Sequence, residues 1–360
     1  MRFELSDEHG LVKESVREFL RKEAPLENTR TWMDESDAGY APPLYRKLAE
    51  LGYLALWLPE KEGGSGMGAI GLAVVLHEMG RVALPGPALD RMLALEQIRR
   101  CSGALGTKWR DALIAGDAHI VSAHAENAAG GVGRVLTTRC EDGHVRGEKR
   151  YVPFAADADA LLVTTRDGLA LVARPEAGWN VTATPTFDHA QRFSTVVFDS
   201  PGELLLEGVA AEEAAATSAH FAALAAAAWL LGGMERAFEI TLDYLKEREA
   251  FGAPLGSFQG LQHRAADMLL RVESTRACVY RAAWTFDHDP EHAPLLSATA
   301  KVYAGRAARE VCGEAIQMHG GVGFTWEYDP HVFFKRTKTL EQFYGTTREQ
   351  LDRVLEAHGI

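Results

Sequence analysis

The sequence predicts a multidomain α+β protein in three consecutive parts. A helical N-terminal domain covers residues 1–117, a barrel-like antiparallel β domain 118–206, and a C-terminal bundle of four-helix type 207–360. Three observations carry this. Apolar residues recur at helical spacing through roughly the first 115 positions. Short alternating runs, broken by Gly, Asp and Asn, then take over. Long helical patterns return near Leu206 and continue to the end. On pattern alone, this order supports multidomain α+β and nothing narrower.

The first helix opens with Asp7 and Glu8, where a helix N-terminus favours negative charge. Leu11, Val12, Val16, Phe19 and Leu20 then repeat along one face. A second helix is expected over Pro43–Leu51 and a loop over Pro59–Gly66. A further helix runs over Ala69–Val82, with Leu72, Val75, Leu76 and Met79 inward. Strands are expected at Val135–Arg139, Ala160–Thr165, Leu169–Val172 and Phe193–Phe198. Four helices follow, over Ala214–Lys246, Phe258–Phe286, Leu296–His319 and Thr346–Ala357. Phe251-Gly252-Ala253-Pro254 breaks the first from the second, and Ser257 is expected to cap the second.

Composition narrows the class. Hydrophobic residues make up 47% of the chain and charged residues 24%, as in a folded soluble protein. A net charge of −12 argues against nucleic acid or an anionic membrane as the main partner. Cys101, Cys140, Cys278 and Cys312 are far apart, with no CxxC pair, and read as buried thiols in a reducing compartment. No metal site is expected. The N-terminus lacks an apolar signal core, so a cytoplasmic location is expected. Ala214–Gly233 carries no charged side chain and is long enough to span a bilayer. It is mostly alanine, a strong helix former of weak hydrophobicity, so a buried helix is expected and no membrane span.

Two glycine-rich signatures stand out, Arg248-Glu249-Ala250-Phe251-Gly252 and Gln317-Met318-His319-Gly320-Gly321-Val322-Gly323-Phe324. Read as residues, each has two meanings. Arg248 is either a helix-end cation favoured by the dipole or a fork for phosphate oxygens. Phe251-Gly252 reads as a turn with a packed aromatic. Gly320-Gly321 either stops a helix or lets the backbone approach a flat ligand. His319 reads as a packed or solvent-facing histidine.

Together with Leu51-Gly52-Tyr53, Leu58-Pro59-Glu60, Gly63-Gly64-Ser65-Gly66, Glu78-Met79-Gly80-Arg81, Gly147-Glu148-Lys149 and Gly345-Thr346, these segments resemble the acyl-CoA dehydrogenases, in order and over essentially the whole chain. The resemblance implies that family's three-part fold and FAD as cofactor. It implies that Arg248 and Phe251 reach the ADP part of an FAD bound mainly by a neighbouring subunit. Gln317, Gly320 and Gly321 fall on the adenosine side of that flavin, and Thr346 joins the cofactor-binding set. It further implies an acyl-CoA substrate and electron-transfer flavoprotein or a similar acceptor.

The chain departs from the family where chemistry is done. The reaction needs a carboxylate to take the α-proton while hydride passes to the flavin. In most members a glutamate directly precedes the Gly-Thr matched here by Gly345-Thr346, and here that residue is Tyr344. In a minority the glutamate comes from the start of the bundle's first helix, which falls near Ala222, within Phe221-Ala222-Ala223. No catalytic residue is therefore assigned, and Glu341 and His220 remain as weak candidates. The Thr-Glu-Pro-like strand that holds the flavin ring reads Ser122-Ala123-His124-Ala125-Glu126-Asn127. The aromatic-x-Ser/Thr element becomes Tyr151-Val152-Pro153, whose proline has neither hydroxyl nor amide hydrogen.

That asymmetry implies the base-lacking subunit of a heteromeric α2β2 acyl-CoA dehydrogenase. Its partner would be a homologous subunit carrying the glutamate, and in one actinobacterial subgroup the substrates are steroid side-chain CoA thioesters. Two alternatives stay open. One is a self-sufficient dehydrogenase, or a related flavin oxidase or monooxygenase, with a displaced base. The other is a flavin-free structural or acyl-binding protein on the same scaffold.

Overall fold

A computed structural model describes residues 5–126 and 136–360. The helices are α1 (Asp7–Glu23), α2 (Leu26–Glu35), α3 (Pro42–Glu50), α4 (Gly68–Arg81), α5 (Ala88–Ile98), α6 (Ala104–Ala115), α7 (Gly208–Glu247), α8 (Gln259–His288), α9 (Ala293–His319), α10 (Pro330–Gln342) and α11 (Thr347–Ala357). Contacts gather the chain into two compact units. One contains Met1–Leu26, Ala69–Leu84 and Ala223–Ile360, and the other Glu27–Gly68 and Pro85–Ala222.

In the first unit, the charges of α1 are satisfied as its sequence requires. Ser6 caps the helix, and Asp7 and Glu8 fill its first turn. Val16 and Leu20 are buried. Helices α4 and α7 cross closely enough that side chains are forbidden. A Cβ on Gly232 would lie 1.9 Å from the His77 carbonyl oxygen, and one on Gly80 2.2 Å from that of Trp229. Beside this crossing a charged cluster is closed on itself. Arg17 donates twice to Glu78, each bond 2.9 Å, and His77 bridges Glu78 (3.0 Å) and Glu235 (2.5 Å). The Glu78-Met79-Gly80-Arg81 signature is thus a packing and ion-pair device. The apolar stretch of α7 is a core segment, 72% buried, as its alanine content led us to expect.

The second unit holds the sheets. Strands β1 (Ile120–Ala123), β2 (Arg139–Glu141), β3 (His144–Pro153), β4 (Ala160–Thr165), β5 (Gly168–Ala173), β6 (Val181–Thr184), β7 (Phe193–Pro201) and β8 (Glu203–Glu207) form two four-stranded sheets. Their orders are β1-β4-β5-β8 and β2-β3-β7-β6. Pairing is antiparallel except between β1 and β4, which run parallel with Ile120 opposite Ala160. Alternation within a strand sets which residues face inward and is silent on the direction of its neighbour, so this exception was not legible. Val121, Val145, Leu161, Val163, Val172 and Phe198 form the core between the strands. β3 is irregular between Lys149 and Val152, where Tyr151 takes a φ of +52°. Of the expected strand Val135–Arg139, Val135 lies outside the described residues.

Candidate functional site

The two glycine signatures meet at the ends of α7 and α9 in the first unit. Helix α7 stops at Glu247, and the chain turns back in a two-residue hairpin, β9 (Glu249–Ala250) against β10 (Ala253–Pro254). Its central residues, Phe251 and Gly252, have φ of +55° and +81°. Positive φ at both positions is the requirement of a type I′ turn. Glycine adopts it freely, whereas a phenylalanine there costs about 1–2 kcal/mol. The Phe251 ring is nevertheless 98% exposed and meets Phe258 edge-on, with centroids 6.3 Å apart. The turn holds an apolar ring outward at a cost that the chain's own packing does not offset. Ser257 does not cap α8. Its hydroxyl donates to the Pro254 carbonyl, and the N-cap position is Phe258.

Arg248 sits just past α7, with its backbone fixed by bonds to Tyr244 and Leu255. Its side chain is exposed and makes no ion pair among the described residues. Tyr244, one turn earlier, stacks on His319 with centroids 4.3 Å apart and donates to the His319 carbonyl. This stacking joins the two signatures, a role for Tyr244 that sequence reading missed because its partner lies 75 residues away. His319 is buried, and Nδ1 donates to the Ala315 carbonyl at 2.7 Å. Burial lowers its pKa, so it serves as a neutral packing residue. Helix α9 ends there, and Gly320 turns out with a φ of +64°. Nothing lies within 4 Å of where a Cβ on Gly320 or Gly321 would stand, and Gln317 is exposed. An unpaired guanidinium, an exposed amide and an open glycine backbone fit a diphosphate and a flat ring.

The α10–α11 connection carries the position where a base is expected. Tyr344 occupies it with a φ of +61°, followed by Gly345 at +92°. That φ is one that L side chains rarely adopt, and a Cβ on Gly345 would also push on Gln350 Nε2, 1.9 Å away. Thr346 is the N-cap of α11 in a reciprocal capping box with Glu349. Its oxygen accepts from the Glu349 amide, leaving the hydroxyl proton to donate elsewhere. Glu341 is buried, with one oxygen bound by Arg309 at 2.9 Å and the other by Lys338 at 3.0 Å. Both carboxylate oxygens are thus engaged by cations of the chain itself, which speaks against Glu341 as the displaced base.

In the second unit, Ala222 is buried and Phe221 packs on Trp57, with ring centroids 5.4 Å apart. His220 is half-buried on the same helix. The β1–β3 edge, where a flavin-ring contact is expected, has committed its polar groups internally. Ser122 donates to Gln97 Oε1 at 2.6 Å, and His124 shares bonds with Thr164 (2.5 Å) and Gln97 (3.1 Å). Lys149, fully buried, donates to Glu126 at 2.6 Å and to the His124 carbonyl at 3.2 Å. Thr137 donates to Glu126 through both its amide and its hydroxyl. Burial and the Lys149 charge push His124 down to about 4. Burial opposes ionisation of Glu126, but bonds from Lys149 and Thr137 outweigh it and hold its pKa at about 2. Pro153 ends the strand opposite Phe193. The side chains of Ser122, His124, Glu126 and Lys149 are thus engaged within the chain, and Asn127 lies outside the described residues.

Known proteins match the chain throughout. A family model described as acyl-CoA dehydrogenase, C-terminal domain, matches residues 213–358, and its N-terminal counterpart matches 6–117. The acyl-CoA dehydrogenase IpdE2 of Mycolicibacterium smegmatis is 34% identical over 97% of this chain and 98% of its own length. A variant of the Tcur3481–Tcur3483 steroid ACAD superposes with a TM-score of 0.88 at 28% identity, over 98% of both chains. The ChsE4–ChsE5 complex from Mycobacterium tuberculosis does so with a TM-score of 0.88 at 26% identity, over 100% of this chain and 99% of that one. The chain belongs to the acyl-CoA dehydrogenase family of flavoprotein oxidoreductases, with the fold the sequence predicted.

Proposed function

We propose that this acyl-CoA dehydrogenase family member is the non-catalytic subunit of a heteromeric enzyme. It supplies the ADP side of a shared FAD site and leaves the base and the flavin-ring pocket to a homologous partner. The observation that carries this is the contrast between an exposed Arg248, Phe251, Gln317 and Gly320-Gly321 cluster and a Tyr344 where the family places its glutamate. In that assembly Arg248 binds pyrophosphate oxygens, Phe251 and the two glycines flank the adenosine, and Gln317 and Thr346 donate to the cofactor's polar atoms. Held there, FAD would supply the acceptor for hydride from the β-carbon of an acyl-CoA thioester. The partner's glutamate takes the α-proton. Electrons then leave to an electron-transfer flavoprotein or similar acceptor. Kinship with a steroid ACAD supports steroid side-chain thioesters as the substrate class, and the ChsE4–ChsE5 complex supports a partner of the same family.

Flavin stoichiometry tests this. The chain is purified alone and again after co-expression with a homologue that carries glutamate before its Gly-Thr. Absorbance counts FAD per protomer, and native mass counts subunits. Little FAD alone, with one FAD per active heterodimer, is the expected result. One FAD per chain in an active homo-oligomer would restore the self-sufficient reading, and flavin in neither sample would favour a structural protein.

A further inference from the structure

Lys301 on α9 lies inside the first unit, 2% exposed, and its ammonium donates to two backbone carbonyls, those of Glu341 (3.3 Å) and Gly345 (3.1 Å). The acceptors stand on either side of Tyr344 in the α10–α11 connection. From the other side Gln350 on α11, itself fully buried, donates to the Tyr344 carbonyl at 3.4 Å. Two buried side chains from two helices thus bind three carbonyls of one short loop. Between those ties the backbone is left-handed, a state a tyrosine keeps only where its surroundings over-determine it. No carboxylate lies within ion-pair distance of Lys301 among the described residues. A buried ammonium bonded to carbonyls alone is costly to maintain, which argues for a use.

We infer that Lys301 and Gln350 are positioning residues that clamp Tyr344 in its left-handed turn, and that the protonation state of the Lys301 amine sets how tightly the clamp holds. Charge-assisted bonds from an ammonium are stronger than those of a neutral amine. The charges that act on it are Glu341 on α10 and Glu349 on α11, with Arg309 and Lys338 bound in turn to Glu341 and Arg353 to Gln350. Burial drives the Lys301 amine down to about 7, although Glu341 and Glu349 pull it upward. As pH rises through that value, the carbonyls of Glu341 and Gly345 lose their ammonium partner and the loop loosens. This inference concerns the chain's own backbone and holds whether or not a flavin is shared.

The test replaces Tyr344 in the full chain with trifluoromethyl-phenylalanine and follows its ¹⁹F resonance from about pH 5 to about pH 9, a range that brackets the expected midpoint. One transition near pH 7 is expected in the otherwise unaltered chain. It disappears in Lys301→Met, and Lys301→Arg shows the low-pH resonance throughout. Gln350→Leu moves the resonance and leaves the midpoint in place. Lys301 in a purely structural role would change the melting temperature without moving this profile. The absence of any transition, or one that survives in Lys301→Met, overturns the inference. If that variant does not fold, a transition that persists in Lys301→Arg does so.

Discussion

At the ends of α7 and α9, polar side chains are held out to solvent with no partner among the described residues, whereas along β1 and the facing stretch of β3 they are spent on neighbours. The Arg248 and Gln317 side chains belong to the first kind, beside the uncovered Gly320-Gly321 turn. Ser122, His124, Glu126 and Lys149 belong to the second. Sequence matching separates them by resemblance, since the glycine signatures keep the family's pattern and Tyr151-Val152-Pro153 departs from it, but it does not say which polar groups are free. Partnering does. A buried ion pair whose lone pairs and protons are satisfied holds a fold in one arrangement. An exposed arginine beside an outward-facing phenylalanine adds little to its own chain's stability and is available to another molecule.

The largest effect that would break this contrast is at Lys149. Lys149→Ala leaves Glu126 without its ammonium and should cost about 3–5 kcal/mol, the usual penalty for a broken buried pair. Chemical denaturation of the isolated chain reads it, and a loss below about 1 kcal/mol would return this pair to the surface class. Acid should have a related effect. His124 has a folded pKa of about 4, below the ordinary 6.5, so its share of stability is lost as pH falls from 6.5 through 4. Glu126, at about 2 against 4.5, follows as pH falls from 4.5 through 2. A denaturation midpoint flat from neutrality to pH 4 would contradict the burial of His124.

Arg248→Ala should do the opposite. Stability of the isolated chain stays within about 0.5 kcal/mol. Flavin retention by the assembled heteromer falls roughly 10- to 100-fold, the value of a charge-assisted bond of about 1.5–3 kcal/mol. Unchanged flavin content in the assembly would remove Arg248 from the clasp. Phe251→Gly sharpens the point, because it relieves a left-handed phenylalanine. The isolated chain should gain about 1 kcal/mol in thermal or chemical melts while its association with the partner weakens. Loss of stability in the free chain would mean that the ring is packed after all. The smallest expected effect is that of Tyr344→Glu. A carboxylate restored at that loop should give no dehydrogenation in the chain alone, since the side chains of Ser122, His124 and Glu126 stay engaged within the chain. Robust turnover would show that Pro153 and its neighbours matter less than their partnering suggests.

Much of the fold was legible because its signals are local. Helical periodicity marked α1, α4, α7, α8, α9 and α11 to within a few residues, though α7 begins six residues before the expected Ala214. The short helices α2, α5 and α6 were not individually separated, since their buried residues run nearly continuously or sparsely instead of repeating on one face. Phe251-Gly252 read correctly as a turn but not as one with a packed aromatic, since the Phe251 ring is exposed. Ser257 did not read correctly as a cap, because its hydroxyl found the nearer Pro254 carbonyl.

By itself the sequence determined which side chains exist where chemistry is expected: tyrosine at 344, alanine at 222, proline at 153, arginine at 248. No arrangement of the backbone can supply a carboxylate at positions that lack one. Only the tertiary structure decided which polar groups are spent and which are free. Glu341 became a two-cation ion pair, His319 a stacked and neutral core residue, and Lys301 a ligand of backbone carbonyls. Each of those assignments depends on hydrogen bonds or ring contacts between elements far apart in the chain. Availability is set by three-dimensional neighbours and by the cost of burying a charge, and no local spacing encodes either.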